Sequence, residues 1–366
     1  MDKIAVMGIG TAVPTYCLKQ EDVARRLGEA LKDRPETARW AKRVFSHCGV
    51  DSRYTCEPNL LEPANACRYL PSLPGLNIPT TEERMKTYRR ESINLATEAA
   101  REALLDSRIR PSEITHVITV TCTGLSLPGM DAELVWSLDL RADADRIPLT
   151  FRGCAAGLSA LRMSEEIVRK NRKAKVLVVA LELCSLHIQP SFDKENLFST
   201  AFFGDGASAC VIGTENLASK GGFALHQSRA VLFPNTSSYM KWEIGNYGFP
   251  LFLSPEIPGL IAKEVPAAFQ AFWGEDVLPE LWAIHPGGRG IIDSLQTAFH
   301  LSDSQTAASR FILRQYGNMS SATILFVLAE LRQQLRSLSD TETKDGIALA
   351  FGPGMTAEFV RFSYHP

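Results

Sequence analysis

An α/β protein of two similar halves is what this sequence predicts, on three observations. Apolar strand-like runs alternate with helical patterns along the whole chain. At 366 residues the chain is long for one simple domain and suits two packed halves. The third observation is an internal repeat. GCAAGLSALRMSEEIVRK…KVLVVALE in the first half matches GNMSSATILFVLAELRQQ…GIALAFGP in the second. Each runs from glycine through a polar or nucleophilic residue and small residues into an apolar-periodic helix, then into a buried strand. ITHVITVTCTG and LWAIHPGG hold the same relative place one step earlier. The repeat predicts halves at 1–213 and 222–366 related by a pseudo-twofold, with corresponding helix starts facing a shared centre. Cys154 and Asn318 would meet there, and the strand before Asn318 would bring in His285.

Taken in order, Lys3 to Gly10 is a strand, closed by Gly8, Gly10 and Pro14. Gln20 to about Phe45 is helical and highly charged, and 53–79 is irregular, rich in Pro and Asn. Thr81 to Leu105 is one long helix, starting from a Thr cap followed by acidic residues. Ile114 to Thr121 is a buried strand and Asp131 to Leu138 a short helix. Thr150 to Lys170 is the central stretch: an apolar lead-in, then Gly153-Cys154, then an amphipathic helix with Leu158, Leu161 and Val168 on one face. Lys175 to Leu181 is a strand, and Phe202 to Gly213 is a Gly-Asp-Gly turn feeding another. In the second half Phe223 to Leu232 is a strand, 233–256 is irregular, and Ile257 to Trp273 is helical. Leu281 to His285 is a strand followed by two helices, the second beginning at Gly317-Asn318. Ile347 to Phe351 and Thr356 to Ser363 are the last strands.

Composition narrows the function. The chain is 45% hydrophobic and 22% charged with net charge −2, so no basic excess points to nucleic acid or an anionic membrane. No apolar run reaches membrane-spanning length. The opening MDKIAVMGIG goes straight into a strand-like run without a separate apolar signal region, and a cytoplasmic protein is expected. Cys17, Cys48, Cys56, Cys67, Cys122, Cys154, Cys184 and Cys210 are scattered, with no CxxC pair and no Cys/His ligand spacing. They read as reduced thiols, without a metal.

Cys154 stands out for its setting. A cysteine at a helix N-terminus meets partial positive charge and free N–H groups, which favour thiolate over thiol. Ala155, Ala156 and Gly157 keep the first turn small, so another molecule can approach the sulfur. A nearby imidazole can take the thiol proton. With an acyl group on the sulfur, a second thioester carbonyl held between a His N–H and an Asn amide would have its developing charge stabilised in advance. Malonyl thioesters need this to lose carbon dioxide and give an enolate, which then attacks the acyl-Cys. The scheme needs no metal or redox cofactor; acyl-CoA and malonyl-CoA enter as substrates. Each residue also has a plainer reading: a small buried cysteine, a strand-end His285 satisfied by backbone, an Asn318 that caps its helix. Their order at repeat-related positions favours the chemical one.

FRGCAAG, WAIHPGGRGI, YGNMSSAT and AFGPG resemble the signature segments of type III polyketide synthases, the chalcone synthase-like family, here a member of the bacterial type. CTGLSLPGMD, ELCSLHIQ and FFGDGASA fall in register, so the resemblance covers nearly the whole chain. It implies a thiolase fold with a five-layered α-β-α-β-α core, a homodimer, and iterative condensation of malonyl-CoA onto an acyl-CoA starter, ending in a pyrone, resorcinol or phloroglucinol-type ring. Carried over by position, it makes Cys154 the acyl-accepting nucleophile. It makes His285 and Asn318 the residues that keep the thiolate ionised and support decarboxylation. Phe203 matches the gatekeeper between CoA tunnel and reaction cavity. Leu251, beside Phe252, falls at the second gatekeeper, as a departure from the plant enzymes or a slip of one residue. Thr123, His187, Trp242 and Ser320 fall where the family lines its cavity, Trp242 being bulky where plant enzymes often carry a small residue. His187 would tune substrate or serve as a hydrogen-bonded structural residue. Arg43, with Lys42, falls near a basic position that contacts CoA phosphate. Leu127 matches a residue that reaches into the partner subunit's cavity. Arg152 is unusual where relatives often place Met or another apolar residue.

Within the same fold the rival is a ketoacyl synthase of the fatty-acid initiating type, which normally follows its His with an Asn-containing segment rather than HPGGRG. A papain-like thiol hydrolase also orders Cys, His, Asn, but places its Cys near the mature N-terminus. A binding-only thiolase-like protein has no support while all three residues are present.

Overall fold

The computed structural model describes residues 3–70, 77–215, 221–337 and 342–366. In chain order its elements are β1 (Lys3–Ala12), β2 (Tyr16–Lys19), α1 (Gln20–Ala30), α2 (Pro35–His47), β3 (Ser52–Thr55), α3 (Thr81–Ser107), β4 (His116–Val120), α4 (Met130–Ser137), β5 (Asp145–Leu149), α5 (Ala156–Lys170), β6 (Val176–Leu183), α6 (Lys194–Thr200) and β7 (Asp205–Glu215). The second half continues with β8 (Gly222–Leu232), β9 (Met240–Trp242), β10 (Leu251–Leu253), α7 (Ile257–Trp273), β11 (Leu281–Ile284), α8 (Arg289–Ala298), α9 (Asp303–Tyr316), α10 (Thr323–Ser337), β12 (Lys344–Gly352) and β13 (Thr356–His365).

The predicted repeat is visible in the strand order. One nine-stranded sheet runs β11-β12-β13-β8-β1-β7-β6-β4-β5. From its centre outward, β1-β7-β6-β4 mirrors β8-β13-β12-β11. The first two pairs of each half are antiparallel and the last is parallel. Only Ala5–Ala224 and Val6–Phe223 pair across the join, so each half keeps its own sheet. β5 has no counterpart among the described residues; α9 occupies the corresponding stretch of chain.

Side-chain alternation along the strands builds the layers. In β6, Val176, Val178 and Ala180 face one core while Leu177, Val179, Leu181 and Leu183 face another. In β12, Ala348 and Ala350 share the first of these cores and Ile347, Leu349 and Phe351 face a third. The shared core holds α5 and α10, and α5 touches strands of both halves. With α3 outside the first sheet and α7 outside the second, this is the five-layered α-β-α-β-α thiolase fold. Among the described residues no helix is long and apolar enough to cross a membrane.

Three details correct the sequence expectations. Gly8 and Gly10 do not close the first strand but lie within it, because α3 presses on that face. A Cβ at Gly10 would stand 2.2 Å from the Ala99 carbonyl oxygen, and one at Gly8 2.4 Å from the Ser107 nitrogen. Three helices, not two, follow β11: a Ser302–Gln305 capping box starts α9 afresh, and Asn318 lies beyond its end. The stretch 233–256 is not wholly irregular, since β9 and β10 pair within it as a small antiparallel sheet. The long third helix is unbroken, and its Thr80–Glu83 capping box matches the expected Thr cap and acidic first turn.

Candidate active site

The two repeat-related helices, α5 and α10, begin against each other. A Cβ at Gly157 would lie 2.4 Å from the Ser321 carbonyl oxygen, so only glycine permits the approach. Each helix is preceded by a 3-10 turn, Gly153–Ala155 and Ser320–Ala322, which carries the chemistry-bearing residues to the seam. Phe151 and Gly153 adopt left-handed φ of 60° and 58°, and Gly153 lies against Pro353. Arg152 has a visible job in holding this turn. Its guanidinium lies 3.5 Å from Glu358, a fully buried carboxylate on β13 that also accepts from Ser159 (2.6 Å) and Arg162 (3.2 Å). Half-exposed Arg152 adds at most ~1 kcal/mol to that group and serves as a tether.

Cys154 and Asn318 meet as the repeat predicts. Sγ lies 4.0 Å from Asn318 Oδ1 and 3.6 Å from Ser320 Oγ, and both Cys154 and Asn318 are buried. Asn318 is fixed on all sides. Its N–H donates to the Phe202 carbonyl (2.8 Å), its carbonyl accepts from Gly204 (3.1 Å), and its Oδ1 accepts from the Ser320 N–H (2.8 Å). One Nδ2 hydrogen goes to the Gly287 carbonyl at 3.2 Å, which leaves the other available to a ligand. Gly287 follows His285 by two residues, so Asn318 links the cysteine turn to the histidine loop. His285 is 1% exposed at the end of β11, and among the described residues neither ring nitrogen has a hydrogen-bond partner.

Burial and the helix terminus act on the cysteine in opposite directions. Burial pushes the Cys154 thiol up to about 11, outweighing its contacts with Ser320 and Asn318. A helix terminus contributes at most ~2 kcal/mol, too little to reverse the cost of a buried charge. Burial also holds His285 down to about 3 and His187 to about 4. Burial thus disfavours the charged form of both groups.

Beside Cys154 lies a cavity of about 80 Å³. Thr123, His187, Trp242 and Ser320, the residues predicted to line it, all do so, and Phe203 and Leu251, expected as gatekeepers, lie on its wall as well. The wall is a ladder of stacked rings. His187 stacks on Phe249 (4.2 Å between centroids), Phe249 on Trp242 (4.9 Å), and Trp242 leans on Phe151 (5.7 Å) beside the cysteine turn. His187 is locked in place: Nε2–H donates to the Thr123 carbonyl (2.7 Å) and Nδ1 accepts from the Phe249 N–H (3.1 Å). Leu251 faces the cavity while Phe252 turns to the other side, near Lys241. Phe202, next to Phe203, lines a second groove with Val44, His47, Ile257, Gly288 and Arg289, and Arg43 is exposed one helical turn before His47. Leu127 does not reach this chain's cavity; it is 93% exposed on a separate face.

Sequence reasoning passed over Cys122, Cys184 and Phe249, which line the cavity, and Glu182, buried beside it. Glu182 was detectable: a carboxylate inside the apolar run KVLVVALE needs a reason.

The buried imidazoles predict an acid sensitivity. An unfolded histidine takes up a proton near pH ~6.5, whereas folded His187 stays neutral down to about 4. Below that unfolded value the unfolded chain binds more protons, so the stability present above it falls steadily as pH drops toward 4. The urea midpoint will fall between about pH 7 and pH 4.5, and less steeply in His187→Gln.

Two halves of the chain match known domains. Residues 1–216 match the N-terminal domain of chalcone and stilbene synthases and residues 224–363 their C-terminal domain. The fold is similar to the C-terminal type III polyketide synthase domain of Steely1, a type I/III hybrid from Dictyostelium. The TM-score is 0.89 at 26% identity, over 100% of both chains. It is also similar to PKS-I from the brown alga Ectocarpus siliculosus, with TM-score 0.88 and 26% identity over 99% of this chain and 98% of that one.

Proposed function

The chain belongs to the chalcone and stilbene synthase family and is a type III polyketide synthase; from that premise we propose that it takes an acyl group from an acyl-CoA onto Cys154 and extends it with malonyl-CoA. The observation that carries this reading is a buried His285 with two unpartnered nitrogens, coupled through Gly287 and Asn318 to a cysteine at the cavity floor. Buried polar groups are ordinarily satisfied, and an imidazole kept free beside a fixed amide suits a thioester carbonyl. In this scheme His285 and Asn318 hold that carbonyl while malonyl-CoA loses carbon dioxide, and the enolate carbon attacks the acyl-Cys154 carbonyl. No cofactor takes part.

Phe203 and Leu251 would stand between the cavity and the groove lined by Phe202, where Arg43 would meet the CoA phosphates. The exposed Leu127 would insert at a homodimer interface. Ring closure follows in the cavity, giving a pyrone, resorcinol or phloroglucinol-type product.

A product screen tests the reading. Purified protein given malonyl-CoA and a panel of short, long-chain and aromatic acyl-CoAs will form cyclic products by mass spectrometry. A single two-carbon extension, seen only with carrier-protein malonate, would instead mark a ketoacyl synthase. Trp242 sets one wall, so Trp242→Ala will shift the products toward longer chains or bulkier starters. Trp242 is only partly buried, so its loss will cost less than the ~3–5 kcal/mol of a fully buried Trp. An unchanged product profile would remove it from the specificity account.

A further inference from the structure

One wall of the cavity is a hairpin that needs holding from outside. Met240 and Trp242 on β9, Leu251 on β10 and Phe249 on the connection between them all line the cavity. β9 and β10 form a separate two-stranded sheet with three residue pairs, Leu251–Trp242, Phe252–Lys241 and Leu253–Met240. A two-stranded sheet is marginally stable by itself. Side-chain packing gives its tip little, since Ile244 is 63% exposed and Tyr247 44%. Hydrogen bonds do the holding. The Gly245 N–H donates to the Gly248 carbonyl (2.8 Å) and closes the turn. The turn then meets Thr81, the first residue of α3. The Thr81 N–H donates to the Asn246 carbonyl (2.9 Å), its hydroxyl donates to the Gly245 carbonyl, and the same oxygen accepts from the Gly248 N–H (2.8 Å). Gln189 adds a second hold: its Nε2 donates to the Tyr247 and His187 carbonyls, each at 2.8 Å. Arg84, on the same face of α3 as Thr81, grips the neighbouring wall segment by the Leu186 and Ile188 carbonyls. The seat is tight: a Cβ on Gly248 would stand 3.0 Å from His187 Nδ1.

We propose that Thr81 and Gln189, neither of which lines the cavity, are positioning residues that clamp the tip of this hairpin and so limit how many two-carbon units the chain takes up. The cavity measures about 80 Å³, below the roughly 300–1,000 Å³ of ordinary small-molecule pockets. A chain growing on Cys154 fills such a space early and continues only if a wall yields. The turns that carry Cys154 and Ser320 pack on β12 and β6 of the main sheet, which fixes them. The hairpin is the wall outside that sheet. Phe249 and Trp242 pass the clamp on to the cavity. Phe249 follows Gly248 directly, its N–H is taken by His187 Nδ1 (3.1 Å), and its ring stacks between His187 and Trp242. While the tip is clamped, the stacked rings keep the cavity at this size. When it is released, the hairpin swings outward with both rings, and the space behind them opens.

The inference rests on the proposed function for its meaning, yet its first test needs no acyl-CoA. Iodoacetamide and its N-octyl derivative alkylate the same Cys154 sulfur, so the ratio of their rates cancels the reactivity of the thiol and reports the room around it. Peptide mass mapping locates the adducts, since Cys122 and Cys184 line the same space. Thr81→Val removes both hydroxyl hydrogen bonds to the turn and leaves the Thr80–Glu83 capping box that starts α3. Gln189→Ala removes the second hold. The octyl-to-parent ratio will rise roughly fivefold in each variant, the net worth of one hydrogen bond to the closed hairpin, and further in the pair. With malonyl-CoA and a starter that the wild type turns over, the double variant will make products longer by at least one two-carbon unit. A merely structural role would lower the yield of every product and leave its length alone. An unchanged ratio in both variants overturns the clamp, and a raised ratio with unaltered product lengths overturns its hold on chain length. Should Thr81→Val fail to fold, Gln189→Ala decides alone. No product from the wild type with any starter would count against the proposed function, and the clamp would then stand or fall on the alkylation ratio.

Discussion

Cys154→Ala will carry no acyl group and make no product, while keeping the fold. The prediction is absolute because the sulfur is the atom to which the growing chain would be bonded. Nearby thiols cannot replace it without moving: Cys122 and Cys184 line the same cavity, but neither follows the Gly153 turn against the start of α5. The structural cost is small, since Ala keeps the helical turn and removes one sulfur, on the order of 1 kcal/mol. Intact-mass measurement after incubation with acyl-CoA checks the loading, and thermal unfolding checks the fold. Full synthase activity in this variant would end the account of Cys154 as nucleophile.

The second large effect is expected at Asn318. Its Nδ2 has one hydrogen on the Gly287 carbonyl and one to spare, beside the free imidazole of His285. If that spare hydrogen holds the malonyl thioester oxygen, Asn318→Ala will slow decarboxylation of malonyl-CoA by roughly 10²–10³, the usual loss for one oxyanion donor. Acyl loading will fall by less than about tenfold, through the lost support of the Ser320 N–H at ~1 kcal/mol. Carbon dioxide release and acyl-Cys154 formation, timed separately, distinguish the steps. Equal losses in both would contradict a role confined to the carbonyl.

Much of this site could be read in the sequence because a repeat constrains three dimensions. Once GCAAG and GNMSSA are taken as equivalent helix starts, Cys154 and Asn318 must face each other, as they do at 4.0 Å. The strand before Asn318 likewise had to deliver His285 to the same edge. What escaped was set by packing at long range. Gly8 and Gly10 looked like strand terminators, since nothing in MGIG announces that the backbone of α3 will lie on them. The helix start at Cys154 was legible, but the burial that opposes ionisation of its thiol was not. Arg152 had no meaning until Glu358, two hundred residues on, came beside it. The ring ladder of His187, Phe249, Trp242 and Phe151 draws on four separate segments, and no local pattern predicts their stacking.

The most direct test of the central claim is the site of acylation. Wild-type protein would be incubated with each acyl-CoA of the panel without malonyl-CoA, then digested and mapped by tandem mass spectrometry. The account predicts one thioester adduct, on Cys154, that is absent from Cys154→Ala and discharged when malonyl-CoA is added. An adduct on another residue, or one that malonyl-CoA leaves in place, would contradict it.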